Sequence, residues 1–466
     1  MARVVQRIPS GRCRKGAALI LSMIFVLIFS ALAASIATFS TTNVQVSDNQ
    51  RQANRALVSA ASGLEVMRYY LSGIRVSGSV APANRLQAVA TQLQNKLSSA
   101  GITNIVSSYD ASTETVTVPS VLLNCESGQA FNAIMRYGDD YDTVTMTVTG
   151  VSRQVSKRIR ADFNFATIGN TVFDFGIASK GPVQMHGNVD VEGFNEAIEA
   201  SVYIESENSN LALEMIGKSS IAGEVSIVNP IASVTVSNPS SIFGKKGAEA
   251  LQHVYIGVPP CDFPTPYPAN FEQYAVNTFD PATDTTTNIT LENIRIPAGT
   301  NPSFSGNVVI RGLAFIEAPN AVTFSGNAEI TGIIICNGEL DYPAAENRIE
   351  FLGTVNSYGV SALPDEGFNE LKKEAGTFLL APGFSVRFGG NFETINGVIA
   401  ASSIEFFGNA GGIINGSVVN YGQTAMNLDG NTDLVFNRSG ITKNPAGFEP
   451  TKVLEFLPSS YSEPPF

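Results

Sequence analysis

From Ala17 to Ser47 no residue carries a charge, and the stretch AALILSMIFVLIFSALAASIATF over 17–39 is almost entirely apolar. As a helix its 23 residues reach about 35 Å, enough to cross a hydrocarbon core of about 30 Å. Beyond Asp48 the pattern changes. Ala53, Leu57, Ala60, Leu64, Met67, Leu71 and Ile74 recur at alternating spacings of four and three, while Arg51, Arg55, Glu65 and Arg68 fall off that seam. No Pro interrupts residues 17–80. The pattern predicts one helix of roughly 55–60 residues, apolar all round in its first half and amphipathic in its second.

The seam gives way to a second helical stripe at 85–101 (Leu86, Val89, Ala90, Leu93, Leu97), closed by Gly101. Strand alternation follows. Val116 and Val118 alternate with threonines, as do Val144, Met146 and Val148. After a turn placed near Gly150, Val155, Ile159, Ala161, Phe163 and Phe165 share one face. The cluster Asp139, Asp140 and Asp142 has the oxygen donors of a calcium site, but a solvated turn explains it more simply.

From about 169 the chain becomes short β-branched runs punctuated by Gly-Asn pairs at 187–188, 306–307, 326–327, 390–391, 408–409 and 430–431. The short gaps between pairs are 18 to 22 residues, and Phe304-Ser305-Gly306-Asn307 is repeated as Phe324-Ser325-Gly326-Asn327. That period predicts a parallel β-helix, a solenoid whose coils stack strand on strand, with Gly and left-handed Asn at the corners. Two stretches break the period. Residues 243–290, with VPPCDFPTPYPANFEQY, read as a long loop, and 363–376 read as a short amphipathic helix. The expected fold class is therefore α+β then all-β: a long N-terminal helix, a small α/β domain, then a parallel β-helix.

Composition and charge narrow the function. The net charge is −12, yet five of the 29 basic residues lie within the first fifteen, so the body carries 24 basic against 41 acidic residues, a net −17. No nucleic-acid partner is expected, because that needs a basic footprint. The four cysteines match no zinc or redox spacing, and the pairing of Cys125, Cys261 and Cys336 stays open. No cofactor, metal site or catalytic residue is assigned. Arg311, Glu317, Glu329, Arg348, Glu350, Arg387 and Glu405 occur singly, and His186 and His253 have no partner pattern.

Three readings of the N-terminus compete: a secretory signal peptide, a plain membrane anchor, and a leader ending in Arg14-Lys15-Gly16. In the first the cleavage site would follow the apolar run. Here the Gly precedes it, and the helical pattern continues beyond the membrane length. Arg-Lys-Gly followed by Ala-Ala-Leu-Ile-Leu resembles a prepilin-peptidase site. Ala60-Ala61-Ser62-Gly63-Leu64-Glu65 with Arg68-Tyr69-Tyr70-Leu71 resembles PilX-type minor pilins, over roughly residues 10–75 and more loosely 76–168. The resemblance implies processing after Gly16, with Ala17 as the methylated mature N-terminus. At the fifth mature position, where major pilins carry Glu, this chain has Leu21. PilX-type minor pilins and the K-type pseudopilin share that lack, which implies a low-copy subunit.

The expected domains are a prepilin leader (1–16), a pilin-like N-terminal helix (17–75, transmembrane over 17–39), a pilin-like α/β domain (76–168), the β-helix (169–445) and an irregular Pro-rich tail (446–466). The expected role is a non-enzymatic minor pilin or pseudopilin-like envelope subunit of a type IV pilus or type II secretion pseudopilus. It would be a single-pass inner-membrane protein with a cytoplasmic N-terminus, its body periplasmic or on the cell surface in a pilus. Its expected partners are other pilin-like subunits, prepilin peptidase, and a surface polysaccharide or protein ligand for a head with a tip, adhesion or structural role. The alternative is a membrane-tethered β-helix polysaccharide lyase or hydrolase.

Overall fold

The computed structural model describes residues 15–78, 80–126, 128–340, 345–440, 442 and 444–464. A long N-terminal apolar helix is followed by a large all-β region. The chain divides into two compact units: one built from residues up to 76, 80–166 and 453–466, the other from 77–79 and 167–452.

The first unit is a helix laid on an antiparallel sheet. Helix α1 runs Lys15–Ser72 without a break. Helix α2 spans Arg85–Ser99 and buries Leu86, Val89, Ala90, Leu93 and Leu97, with Gly101 in the left-handed region at φ +77° beyond its end. Strands β1 (Val76–Ser77), β2 (Ser108–Asp110), β3 (Thr115–Asn124), β4 (Gln129–Tyr137), β5 (Thr143–Ser152) and β6 (Val155–Ile168) follow. A strand over Thr451–Ser462 completes a seven-stranded sheet, inserted between β1 and β6 in the order β1, C-terminal strand, β6, β5, β4, β3, β2.

That last strand corrects the reading of 446–466 as an irregular tail. Leu454 is buried, the Phe456 ring lies 5.5 Å from that of Phe163, and Ser460 Oγ accepts from the Asp162 amide at 2.7 Å. Pro458 disguised the strand in the sequence. It is tolerated because β1, the neighbour on the outer side, is only two residues long, so most of that edge has no ladder to lose. The other unit is therefore an insertion between β6 and the C-terminal strand rather than a terminal extension. Its entry and exit lie side by side, with Thr451 Oγ1 donating to Asn170 Oδ1 at 3.2 Å.

Among the described residues the second unit is a hydrogen-bonded series of 26 short strands, mostly parallel, with Ser241–Ile242 and Lys245–Lys246 an antiparallel pair. Val308–Glu317 pairs with Ala328–Asn337 in register over all ten positions. Inward residues repeat from level to level. The rings of Phe304, Phe324, Phe351, Phe388 and Phe406 stack at 4.9 to 5.2 Å. These spacings match the separation of neighbouring strands, so each level places its ring on the one before.

Three of the Gly-Asn glycines, Gly187, Gly408 and Gly430, have positive φ as expected at corners; Gly306, Gly326 and Gly390, with Gly353 between them, serve otherwise. Gly306, Gly326, Gly353 and Gly390 form a column in which an added Cβ would sit 2.1 Å from the carbonyl oxygen of the preceding level. Close backbone approach, rather than a left-handed turn, demands glycine there. The asparagines that follow are not left-handed; among the described residues the only asparagines with positive φ are Asn293 and Asn301. They form side-chain ladders instead, such as Asn188 Nδ2 to Asn431 Oδ1 at 3.0 Å.

Strand order also differs from a simple run. Ile177–Ser179 pairs on one side with Val202–Ile204 and on the other with Val418–Asn420. The chain thus enters the stack in its interior and builds outward to Val254–Ile256. It then returns through 257–276 and restarts at Asn277–Thr278 and Ile289–Ile296. The returning segment holds to the stacked strands. Phe263 contacts Tyr203 and Tyr421, and Tyr421 Oη donates to Pro264 O at 2.5 Å. The loop reading of 243–290 is corrected in part, since this stretch contains short helical turns at Gly247–His253 and Pro268–Tyr274. The helix expected at 363–376 is a series of turns with one 3-10 turn, Leu371–Lys373.

Candidate functional site: the N-terminal helix

Helix α1 has two chemically distinct halves. Ala-, Leu- and Ile-rich sequence with no Pro and no Gly between Ala17 and Gly63 favours an unbroken helix. In the first half the large apolar side chains are bare: Leu19, Phe25, Phe39 and Val46 are 53 to 71% exposed. Several hydroxyls within that half bond to carbonyls of the preceding turn. Ser30 donates to Val26 O at 2.5 Å, Thr38 to Ala34 O at 2.8 Å and Thr41 to Ala37 O at 2.8 Å. Such a surface presents little unmet polarity to lipid or to an apolar partner helix. It is the one helix among the described residues long and apolar enough to cross a membrane.

The second half packs on β4 and β5. Ala60, Leu64, Met67 and Leu71 of the expected seam are buried, whereas Ala53 and Leu57 are half-buried. The seam enters the core instead through Gln52 and Ala56, with Ser59 and Gly63 completing it. The reason is backbone contact. A Cβ on Gly150 of β5 would lie 2.1 Å from Ala56 O and 2.3 Å from Ala60 N, and one on Gly63 would lie 2.5 Å from the Phe131 ring. Small residues at 56, 59, 60 and 63 let helix and strand touch. Their i, i+3, i+4, i+7 spacing was the available signal; a search for large apolar residues passes over it. Gly150 is thus a contact residue within β5, and the hairpin turn expected there falls at Arg153, φ +54°. Gln52 Oε1, buried, accepts from Ser152 Oγ at 2.7 Å. On the opposite flank the Arg68 guanidinium sits 4.2 Å from the Phe456 ring centre and bonds Glu65 at 2.7 Å.

Gly16 and Ala17 fall at the start of α1, but their side chains lie outside the described residues, as does the leader before Lys15. Leu21 is 59% exposed in the bare half. Asp140, named for calcium, instead closes a turn by accepting from the amides of Asp142 and Thr143, and Asp142 pairs with Arg85 Nη1 at 2.6 Å. Cys125, Cys261 and Cys336 are free thiols, and burial raises the pKa of the last two.

The charged residues noted on the repeat come together only in part. Arg387 lies between Glu350, at 2.8 Å, and Glu405, at 2.8 and 3.1 Å. The three occupy one column on successive levels. The hydrogen bonds that Arg387 donates to Glu405 and Glu350 raise its pKa further. Glu317 pairs with Arg295 at 2.7 Å, and Arg348 approaches Glu350 at 3.9 Å. Arg311 and Glu329 are exposed one level apart in neighbouring columns. His186 bridges Glu214 at 3.0 Å and Asp429 at 3.4 Å, while His253 stacks on Phe243 at 4.4 Å. The Arg387 and Arg295 pairings set opposite charges beside one another, where like charges would repel.

The model of the PilX N-terminal family matches residues 15–65, the span of the bare half and most of the packed half. A crystal structure of the competence-associated pilin ComZ from Thermus thermophilus aligns with 89% of this chain and 97% of its own, at 14% identity and a TM-score of 0.24, a score too low to argue shared architecture. No curated protein matches the chain. The family match and the helix that bears it thus show residues 15–65 to be similar to the PilX N-terminal family.

Proposed function

We propose that this chain is a non-enzymatic minor pilin or pseudopilin-like subunit. It joins a type IV pilus or type II secretion pseudopilus through α1, and presents the stacked-strand unit as a head with a tip, adhesion or structural role. The observation that carries the proposal is the two-part helix under the PilX N-terminal match: 18–47 bare and uncharged, 52–71 welded to a sheet. A bare apolar helix in water is unstable; it needs lipid before assembly and other pilin-like helices after it. In this reading the subunit waits in the inner membrane with its N-terminus cytoplasmic and its body outside. Prepilin peptidase cleaves after Gly16, and Ala17 becomes the methylated N-terminus.

Leu21 has no charge to pair with a neighbour's terminal amine. A carboxylate in lipid requires a partner, and leucine does not. A subunit without that requirement suits a position with no preceding subunit, such as a tip or an initiation complex. The head is read as a parallel β-helix. Parallel, in-register pairing at steps of 18 to 22 residues along much of the stack, with its columns of Phe, Gly and Asn, supports that reading. The domain plan then becomes leader 1–16, helix 17–75, an α/β unit over 76–168 closed by the C-terminal strand, and the head between them.

Processing tests the proposal. The full chain is co-expressed with a prepilin peptidase, and the mature N-terminus is read by mass spectrometry. The expected terminus is methylated Ala17, and Gly16→Leu should leave the leader attached. A mature terminus elsewhere, or unaltered processing of Gly16→Leu, would sink it.

A further inference from the structure

The two stretches that interrupt the repeat meet on one face of the stacked strands. Phe271 from the first shares a buried cluster with Leu363, Phe368 and Leu371 from the second. Tyr274 Oη donates to Glu374 Oε1 at 3.3 Å, tying one insertion to the other. Between them lies a pocket of about 330 Å³, lined by Gln273, Tyr274, Asn293, Asn369, Glu370 and Leu371 among others. That volume is at the small end of small-molecule sites.

Asn293 marks the pocket as more than a crevice between loops. Its φ is +44°, the left-handed region, at a bulge in the strand Ile289–Ile296. The next two levels of the stack turn at this place with Gly312 (φ +82°) and Gly332 (φ +142°). The repeat thus uses glycine here, and the level that borders the pocket keeps an asparagine despite the strain. Asn293 Oδ1 accepts from the Leu313 amide at 3.1 Å, while Nδ2 makes no hydrogen bond among the described residues. The amide is held by its oxygen, with its donor group left over.

Charge selects the ligand class. Glu370 is neutralised by Lys373, whose Nζ lies 2.7 Å from both carboxylate oxygens, and nearby Glu272 by Arg295 at 3.0 Å. Among the described residues that line the pocket there is no cation to receive an anionic ligand. It offers amide donors and acceptors, a carboxylate with spare lone pairs, a tyrosine ring and one leucine. That mixture matches a polyol with an apolar face. We propose that the pocket binds one unit of a neutral saccharide, with the Asn293 and Asn369 amides bonding its hydroxyls and the Tyr274 ring against its C–H face.

The proposal extends the adhesive reading of the head, and binding is measured on the free chain, so its failure leaves the assembly helix untouched. Saturation-transfer NMR on the full chain, in a detergent without a sugar headgroup, uses methyl α-glucopyranoside, methyl β-galactopyranoside and N-acetylglucosamine as probes and glucuronate as the charged control. At least one neutral probe should receive saturation and glucuronate should receive less. Asn293→Gly, which relieves the backbone, should weaken binding at least tenfold with no loss of melting temperature. Asn369→Ala, at an exposed position, should weaken it similarly and carries the test if Asn293→Gly melts lower. No transfer to any neutral probe, equal transfer to glucuronate, or binding unchanged in both variants would overturn the proposal.

Discussion

At the scale of single residues, the stack is set by what each position meets one level away. Phe324 lies between Phe304 and Phe351 at 5.2 and 5.1 Å and is almost fully buried. Truncating it leaves a cavity with rigid rings on both sides that cannot collapse into the gap. Phe324→Ala should cost about 3–5 kcal/mol, read as a fall in the urea midpoint of the main transition. A smaller loss would mean that the levels slide to refill the space. The Phe-Ser-Gly-Asn copies made Phe304 and Phe324 legible as neighbours in a repeat. They did not show that Phe406, rather than Phe407, continues the column. Phe407 lies on the outside under Arg387, 4.6 Å from its guanidinium. Adjacent phenylalanines of equal hydrophobicity differ only in which face of a strand they occupy, and register decides that.

At the scale of elements, α1 was the most legible part of the chain. Its length and the change from uniform to amphipathic patterning follow from the absence of charge before Asp48 and the regular spacing after it. At the start of its packed half the buried positions are Gln52 and Ala56, one residue before the expected Ala53 and Leu57, because the contact there is made by small residues and by Gly150. Gly150→Ala should force the helix away from β5. We expect a loss of about 1–3 kcal/mol in the unit that contains α1, seen as a lower melting temperature of that unit alone. Unchanged melting would show that helix and strand can separate by the width of a methyl group without cost. The insertion at 363–376 shows the opposite failure. Its polar and apolar residues fit a helix, but its apolar members Leu363, Phe368 and Leu371 are pinned to the stacked strands, and that packing overrides local propensity.

At the scale of the whole molecule, the unexpected feature is connectivity. The sheet of the first unit is closed by residues that follow the second unit in sequence. Removing residues 451–466 should therefore damage the first unit, far away in sequence, by uncovering Phe163 and Phe165. The expected result is increased binding of a hydrophobic dye and loss of the melting transition of the helix-and-sheet unit. A truncated chain that melts like the parent would show that strand to be dispensable.

The sequence by itself determined the two-part helix, the alternation of β3, β5 and β6, and the period of the stacked strands. Each depends on residues within a few turns or one repeat of each other, so spacing carries the information. Only the tertiary structure decided that the stack begins in its interior, that the last strand returns to the first sheet, and that two interruptions of the repeat meet around Asn293. Those outcomes join segments up to several hundred residues apart. Hydrogen bonds along a strand edge carry no side-chain signature of their partner, so which edge a strand joins is settled by whatever apolar surface remains to be covered.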